Sequence, residues 1–373
     1  MEWKKVKLGE VLTIKYGKDH KALGAGNIPV YGSGGIMRYA DKAIYEKPSI
    51  LIPRKGSLNN IFYVDKPFWT VDTMFWSIID TKKADPHFLF YAICKLDFAG
   101  LNVGSAVPSL TVPVIEAVEL PLPPLETQRR IAAILSSLDD KIENNNRINR
   151  NLEEQAQALF KSWFVDFEPW GGTMPDDWRK QKLGQIIELY RGVSYSSKDI
   201  KEGDYALLSM NNIRPWGGFL YDFSRKFSGR FKEIHKLNPY DLIMCITDIT
   251  QERRLIGYTA LIPPYYDNLI MCTHLLKVTS EKYDSRFLNG LFNYSGLSRF
   301  IADCATGTTV LGLTADIVKG IEWTIPTPEA AKKYSNMVID MYDSIFRNNQ
   351  ESQRLATLRD TLLPKLMRGE ITL

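Results

Sequence analysis

The chain has 373 residues, 45% of them hydrophobic and 24% charged, with a formal charge of +4. These values fit a globular protein of two or three domains, and the mild basicity permits contact with a polyanion without demanding it. No run approaches eighteen apolar residues and MEWKKVKLGEV at the N-terminus lacks an apolar core, so neither a membrane-spanning helix nor a signal peptide is expected and the chain reads as cytoplasmic.

From residue 3 the chain opens a strand signal, WKKVKLGEVLTIKYG. Apolar runs follow (SILIP, IFYV, MFWSII), separated by Gly, Pro, Asn and Asp, with a helix expected around 86–96. The segment closes on the proline-punctuated strand LPLPP. The opening then returns at 178–192 as WRKQKLGQIIELYRG, a shift of 175 that superposes Trp3, Leu8, Gly9 and Gly17 on Trp178, Leu183, Gly184 and Gly192. Further on, GSAVPSLTVPVIEAVELPLPPLE (104–126) matches GTTVLGLTADIVKGIEWTIPTPE (307–329), and DKIENNN (140–146) matches DSIFRNN (343–349). The chain is therefore an internal repeat of module, helix, module, helix. Each module reads as mixed α/β with a mixed sheet, and the second carries another helical stretch at 285–302. The boundaries fall at 1–124, 125–168, 169–328 and 329–373. The positive excess lies mainly outside the first long helix.

Residues 126–167 lack Gly and Pro and carry a heptad seam: Ile131, Leu135, Leu138, Ile142, Asn145, Asn149, Leu152, Ala156, Leu159, Trp163. The second helix repeats it with Tyr334, Val338, Met341, Ile345, Asn348, Ser352, Leu355, Arg359, Leu362 and Leu366. Both seams have apolar ends and a polar centre. Packed antiparallel as a coiled coil, Asn145 and Asn149 would face Asn348 and Ser352, an arrangement that penalises slipped registers at some cost in stability. On that reading, Asn145→Leu with Asn348→Leu should raise thermal stability and loosen register. The alternative is two separate amphipathic helices, each covering its own module with the asparagines solvated. Forty helical residues make a rod of roughly 60 Å, and Pro364 is expected to kink the second helix or end it early. Trp163, Phe164 and Phe167 exceed what a two-helix seam needs, and packing against the modules is favoured over a partner surface. Such a pair of helices is a spacer between two similar surfaces in pseudo-two-fold opposition, and two-fold readers of DNA place half-sites in that way.

At this point the sequence resembles the specificity subunits of type I restriction–modification systems, over essentially the whole chain. The resemblance lies in LPLPPLETQRRIAAILSSLDDKIENN (120–145), ALFKSWFVDFEP (158–169) and LRDTLLPKLMRGEI (358–371), and in LSMNNIR (208–214), which looks like the sheet core of a target-recognition domain. It implies two target-recognition domains that each read half of a bipartite, asymmetric site in double-stranded DNA. It also implies helices that fix the unspecified gap and dock two methyltransferase subunits, with motor-nuclease subunits joining for restriction. S-adenosylmethionine, ATP and magnesium would then sit on the partners and no cofactor on this chain. TPEAAKKY (327–334) departs from the LPPLxEQ pattern that leads into the other helix, which puts in doubt how symmetrically two partner copies bind.

A search for chemistry in the chain itself returns near-misses. Asn238-Pro239-Tyr240 resembles the motif with which methyltransferases hold a target amine, but no Gly-rich cofactor loop follows a strand, and a turn is the better reading. Pro175-Asp176 with Asp199-Ile200-Lys201 fits a loose metal-nuclease pattern that is cheap in a linker. There is no phosphate loop of the GxxxxGK[ST] type, and Gly32-Ser33-Gly34-Gly35 reads as an ordinary loop. The four histidines are dispersed. The four cysteines lack CxxC pairing, so they read as buried thiols with no structural zinc. No catalytic residue and no metal ligand is assigned.

Base edges are read by Arg, Lys, Asn, Gln, Ser or Thr on rigidly held loops, and phosphates are gripped by Lys and Arg. In the first module the candidates are Lys18, His20, Ser33, Arg38, Arg54, Lys55, Asn59 and Asn60, with RKGSLNN (54–60) the strongest segment. In the second they are Asn211, Asn212, Arg214, Thr247, Asp248, Thr250, Arg253 and Arg254, with TDITQERR (247–254) in the equivalent place after a buried strand. The competing reading is a coiled-coil scaffold that binds protein without specific DNA binding.

Overall fold

The computed structural model of the chain describes residues 3–102, 107–200, 202–221, 223–250, 252–307 and 310–371. The start of the second repeat match (104–106, with 308–309 opposite) lies outside the described residues, as do Lys201 and Gln251.

The first module begins with β1 (Lys4–Lys7), which pairs antiparallel with β9 (Glu119–Leu122). Its main sheet runs β2 (Leu12–Tyr16), β8 (Met74–Ile79), β5 (Ser49–Pro53) and β6 (Phe62–Val64). A second sheet places β3 (Ile28–Gly32) between β4 (Gly35–Ala40), antiparallel, and β7 (Trp69–Thr70), parallel. Helices α1 (Pro86–Ile93) and α2 (Val112–Glu116) complete it. Helix α1 starts where Asp85 accepts a hydrogen bond from the Phe88 N–H at 3.0 Å, with Pro86 in the first turn, where a missing N–H is harmless.

The second module repeats this plan. Strand β10 (Arg179–Lys182) pairs with β21 (Glu322–Ile325), and the main sheet runs β11 (Glu188–Arg191), β19 (Leu275–Thr279), β15 (Leu242–Cys245), β17 (Thr259–Leu261). In the second sheet β12 (Tyr205–Leu208) lies antiparallel to β13 (Lys226–Phe227) and parallel to β18 (Leu269–Met271), with β14 (Lys236–Leu237) at the edge. A short pair, β16 (Thr247–Asp248) with β20 (Leu311–Gly312), has been added. Helices α4 (Ser285–Tyr294) and α5 (Leu297–Asp303) lie in the stretch expected at 285–302, and α6 (Ala315–Gly320) answers to α2 of the first module.

The repeated residues have matching jobs. Leu8 and Leu183 are fully buried, and each donates its N–H to the strand opposite, to Val118 and Ile321, both at 2.9 Å. A Cβ on Gly17 would stand 2.0 Å from the Val71 carbonyl oxygen, and one on Gly192 2.2 Å from that of Cys272. Only glycine lets the two backbones approach so closely. The continuous apolar runs are the central strands. Ile50 and Ile52 enter one core and Leu51 another, just as Leu242 and Met244 part from Ile243 and Cys245. A strand covered on both faces needs no polar alternation, and each such side chain contributes about 1.5–3 kcal/mol by burial.

The long helices are α3 (Leu125–Phe164) and α7 (Pro328–Met367). By contacts the chain forms two compact units, Met1–Glu143 with Ser352–Leu373, and Asn144–Glu351. Each unit thus holds one module with part of each long helix. In the first unit Ile131, Leu135, Leu363 and Leu366 pack against Phe88 and Tyr91 of α1. The seam position Arg359 meets Asp139 on the opposing helix at 2.6 Å, and the Tyr91 hydroxyl donates to the same carboxylate at 2.5 Å. Burial, with that carboxylate as acceptor, pushes the Tyr91 phenol well above its ordinary value. In the second unit Phe160 is fully buried against Phe164, Phe287 and Tyr334, and the Tyr334 hydroxyl donates to the Ala156 carbonyl at 3.2 Å. In both units the helix segments run antiparallel, and every seam position named from the sequence is buried or half-buried.

The polar centre is paired, with Asn348 meeting Asn149 as the seams imply and Asn349 and Glu351 joining from beside the seam. Asn348 donates to Asn149 at 2.9 Å and Asn149 to Asn349 at 2.9 Å, while Asn145 donates to Glu351 at 2.8 Å. Phe164 and Phe167 pack on Trp178 of the second module, and Trp163 on Trp170.

Two expectations are corrected. Helix α7 runs through Pro364 to Met367, so the proline does not end it early. The proline removes a single N–H, and the buried Leu363 and Leu366 hold the last turn in place. Cys94 is exposed and Cys304 half-buried, so only Cys245 and Cys272 are buried thiols.

Candidate nucleic-acid interface

In each module most candidate residues lie on two connections, the one that follows the buried central strand of the main sheet and the one that joins the first two strands of the second sheet; Lys18 and His20 precede β3, and Arg38 lies within β4.

In the first module, residues 54–56 leave β5 with their backbone already paired. Arg54 N–H donates to Thr73 at 2.8 Å, the Arg54 carbonyl accepts from Leu110 at 2.9 Å, and Gly56 donates to Pro108 at 3.1 Å. The Arg54 guanidinium donates to the Asp72 carbonyl at 3.1 Å and lies 5.4 Å from the centre of the Tyr16 ring. Lys55 and Asn59 are exposed, while Asn60 donates to the Ser33 carbonyl at 2.9 Å. That bond ties the loop to the β3–β4 turn. His20 and Ser33 line one cleft with Asp72 and Met37, so His20, Ser33, Arg54 and Asn60 are brought together. Lys18 lies exposed nearby in the chain, its carbonyl accepting from the Trp69 indole at 3.0 Å. Arg38 is directed elsewhere, to the carbonyls of Leu23 at 2.7 Å and Gly24 at 3.2 Å.

In the second module Asp248 is fully buried. Its carboxylate accepts from the Thr250 N–H, the Thr250 hydroxyl and the Leu255 N–H, each at 2.7 Å. Burial alone would raise its pKa. The N–H donors of Leu255 and Thr250 outweigh it and hold the carboxyl below its ordinary value. Asn212 is also buried, accepting from the Ser209 N–H at 2.9 Å and donating to the Leu220 carbonyl at 3.2 Å. Both side chains support their loops from within. Thr247 is half-buried, its hydroxyl 3.3 Å from His274 Nδ1.

Asn211 is exposed. Arg214 bonds the Gly217 carbonyl at 3.0 Å and Glu153 of α3 at 2.8 Å, and Tyr221 accepts from Asn349 of α7 at 2.9 Å, so this connection is clamped to both long helices. Arg253 donates to the Ala302 carbonyl and to Asp303, both at 3.2 Å. Arg254 pairs with Glu252 at 2.9 Å, and its carbonyl accepts from the Trp216 N–H at 2.9 Å. The two connections therefore adjoin here as they do in the first module.

Reading by polar residue type passed over the apolar side chains on these loops. Ile36, Met37, Trp216 and Ile249 are half or more exposed, yet in a sequence an apolar letter among strands reads as core.

The near-misses are structural. Pro239 and Tyr240 form a turn in which Asp241 accepts from the Asn238 N–H at 2.7 Å, and the Tyr240 hydroxyl donates to Asp343 at 2.8 Å. Asp199 caps its own turn, accepting from the Ser196 N–H and hydroxyl, both at 2.7 Å. Among the described residues no three His, Cys, Asp or Glu side chains are placed to hold a metal ion, and no helix is long and apolar enough to cross a membrane.

The type I restriction modification DNA specificity domain matches residues 1–154. The chain is 24% identical over 366 residues to the type I restriction enzyme MjaIX specificity subunit of Methanocaldococcus jannaschii, covering 92% of this chain and 83% of that protein. It is 24% identical over 330 residues to the HindI specificity subunit of Haemophilus influenzae, covering 71% of each. Its fold matches the crystal structure of the type I restriction–modification system S subunit from M. genitalium, with a TM-score of 0.64, 17% identity, and coverage of 98% of this chain and 96% of that one. Over most of its length the chain is thus similar to the specificity subunits of type I restriction–modification systems.

Proposed function

We propose that the chain supplies sequence specificity to a cytoplasmic type I restriction–modification complex and is not itself an enzyme. Each module reads one half of a bipartite, asymmetric site in double-stranded DNA, and the paired helices set the unspecified gap. Two methyltransferase subunits dock on the chain, and motor-nuclease subunits join for restriction; S-adenosylmethionine, ATP and magnesium belong to those partners.

The observation that carries this reading is a single fold plan used twice with different side chains on the same two connections. RKGSLNN occupies in one module the place that TDITQERR occupies in the other. Loops held by paired backbone can present donors and acceptors to base edges at low entropic cost, and two different loop sets imply two different half-sites. Of the candidates, Lys18, His20, Ser33, Arg54, Lys55, Asn59, Asn60, Asn211, Arg214, Thr250, Arg253 and Arg254 are the proposed contacts, with Asn212 and Asp248 as supports of their loops.

The test is to co-express the chain with its cognate methyltransferase subunit and map modified adenines by long-read sequencing. A split motif with a fixed gap is expected. A continuous motif would mean that one module alone reads DNA. No methylation by an assembled complex would favour the protein-binding scaffold.

A further inference from the structure

Trp216 sits in the β12–β13 connection with φ +69, a left-handed backbone that bulky residues rarely adopt. Its N–H is fixed to the Arg254 carbonyl at 2.9 Å, and Gly217 and Gly218, at φ +102 and +100, turn the chain immediately after it. The indole meets Tyr258 edge-on with ring centres 5.6 Å apart, and the residue is still 51% exposed. A tryptophan needed only for packing would be drawn further in. Here an unfavourable backbone holds the ring outward.

Its surroundings name the occupant. Arg254, joined to Trp216 through the backbone bond, pairs with Glu252 at 2.9 Å, and Arg253 in the same loop pairs with Asp303 at 3.2 Å; both carboxylates are exposed, and a phosphate can take the place of either. The matching connection of the first module shows the same combination. Past the exposed Gly34, β4 presents Ile36 and Met37, 50% and 60% exposed, and Asn60 ties the cationic 54–60 loop to Ser33 in that turn. Exposed apolar groups beside loops that carry arginine and lysine fit a polyanion whose interior is a stack of aromatic faces.

We propose that Trp216 is an apolar wedge that enters the duplex at one base step of the half-site read by the second module, with Ile36 and Met37 in the corresponding role in the first. This rests on the DNA-recognition reading above. The indole would stack on the opened base face while the neighbouring arginines neutralise flanking phosphates.

The test uses the full chain assembled with its methyltransferase subunit, and a duplex carrying the split motif from the methylation map. 2-Aminopurine is moved base by base through the second half-site. Binding should brighten one step, and Trp216→Gly should abolish that signal and weaken specific binding by about tenfold. Trp216→Phe should keep both. Glycine suits φ +69, so Trp216→Gly retains the backbone, and equal binding of unrelated duplex by the variant confirms an intact chain. A variant that binds and brightens like the unsubstituted chain overturns the wedge, as does a scan with no bright step. If no split motif is methylated, the half-site reading falls and the wedge falls with it. A split motif without Trp216-dependent brightening removes the wedge alone.

Discussion

Gly17 and Gly192 show how closely single residues bind the sequence repeat to the fold. Each lies where a methyl group would collide with a carbonyl of the neighbouring strand, so Gly17→Ala should destabilise the protein by about 1–3 kcal/mol. Gly34→Ala, with open space around it, should leave the melting temperature nearly unchanged. Asp248 makes a different residue-scale prediction. Its folded pKa is depressed, so its ionised form stabilises the fold at pH values above its unfolded pKa of about 3.9, and that contribution is lost as pH falls through the still lower folded value. Asp248→Asn should therefore be less stable than the unsubstituted chain at neutral pH, and the gap should close below about pH 4. Denaturant melts across pH 3–7 measure it; a gap independent of pH would show that the carboxylate's charge is irrelevant.

At the scale of elements, the helix seam carries more polar groups than its heptad positions suggest. Asn349 and Glu351 lie beside the seam and still bond across it. Exchanging Asn145 and Asn348 for leucine would leave Asn149 without one of its partners and Glu351 without its amide, so the gain expected from the sequence becomes a loss. Asn149→Leu alone should cost about 1–3 kcal/mol, because the amides of Asn348 and Asn349 lose their partner inside the interface. Replacing Asn145, Asn149 and Asn348 together should recover part of that loss while loosening register. Thermal melts of the single and triple variants decide between these signs. Arg359 makes the same point: a cation at a seam position is tolerable because Asp139 lies opposite it and Tyr91 completes the carboxylate's bonding.

For the whole molecule, binding to DNA should weaken steeply with salt, since lysines and arginines that contact phosphates release counterions. Lys55, exposed on the 54–60 loop, is placed for such a contact. Lys55→Ala should weaken binding by a similar factor on specific and random duplexes and reduce the log–log salt slope by about 1. A loss confined to one sequence would instead make Lys55 a reader of bases.

Periodicity and repetition were legible without coordinates. Runs such as SILIP and DLIMCIT, bounded by turn residues, read as strands buried on both faces, and a 42-residue stretch free of Gly and Pro with a heptad seam reads as a long helix whose seam returns in the second half. The division into modules and helices, the antiparallel seam and the segments bearing the candidate interface all follow from such local regularities. What a side chain faces does not, because it depends on residues distant in the chain. Asp248 and Asn212 have the letters of base readers and the burial of loop supports. Trp216 has the letter of a core residue, and the bond from its N–H to the carbonyl of Arg254 holds it outward. The strand-to-strand approach at Gly17, the entry of Asn349 and Glu351 into the polar seam and the contact between the two loops of each module were decided by tertiary packing, where burial and hydrogen-bond geometry override residue type.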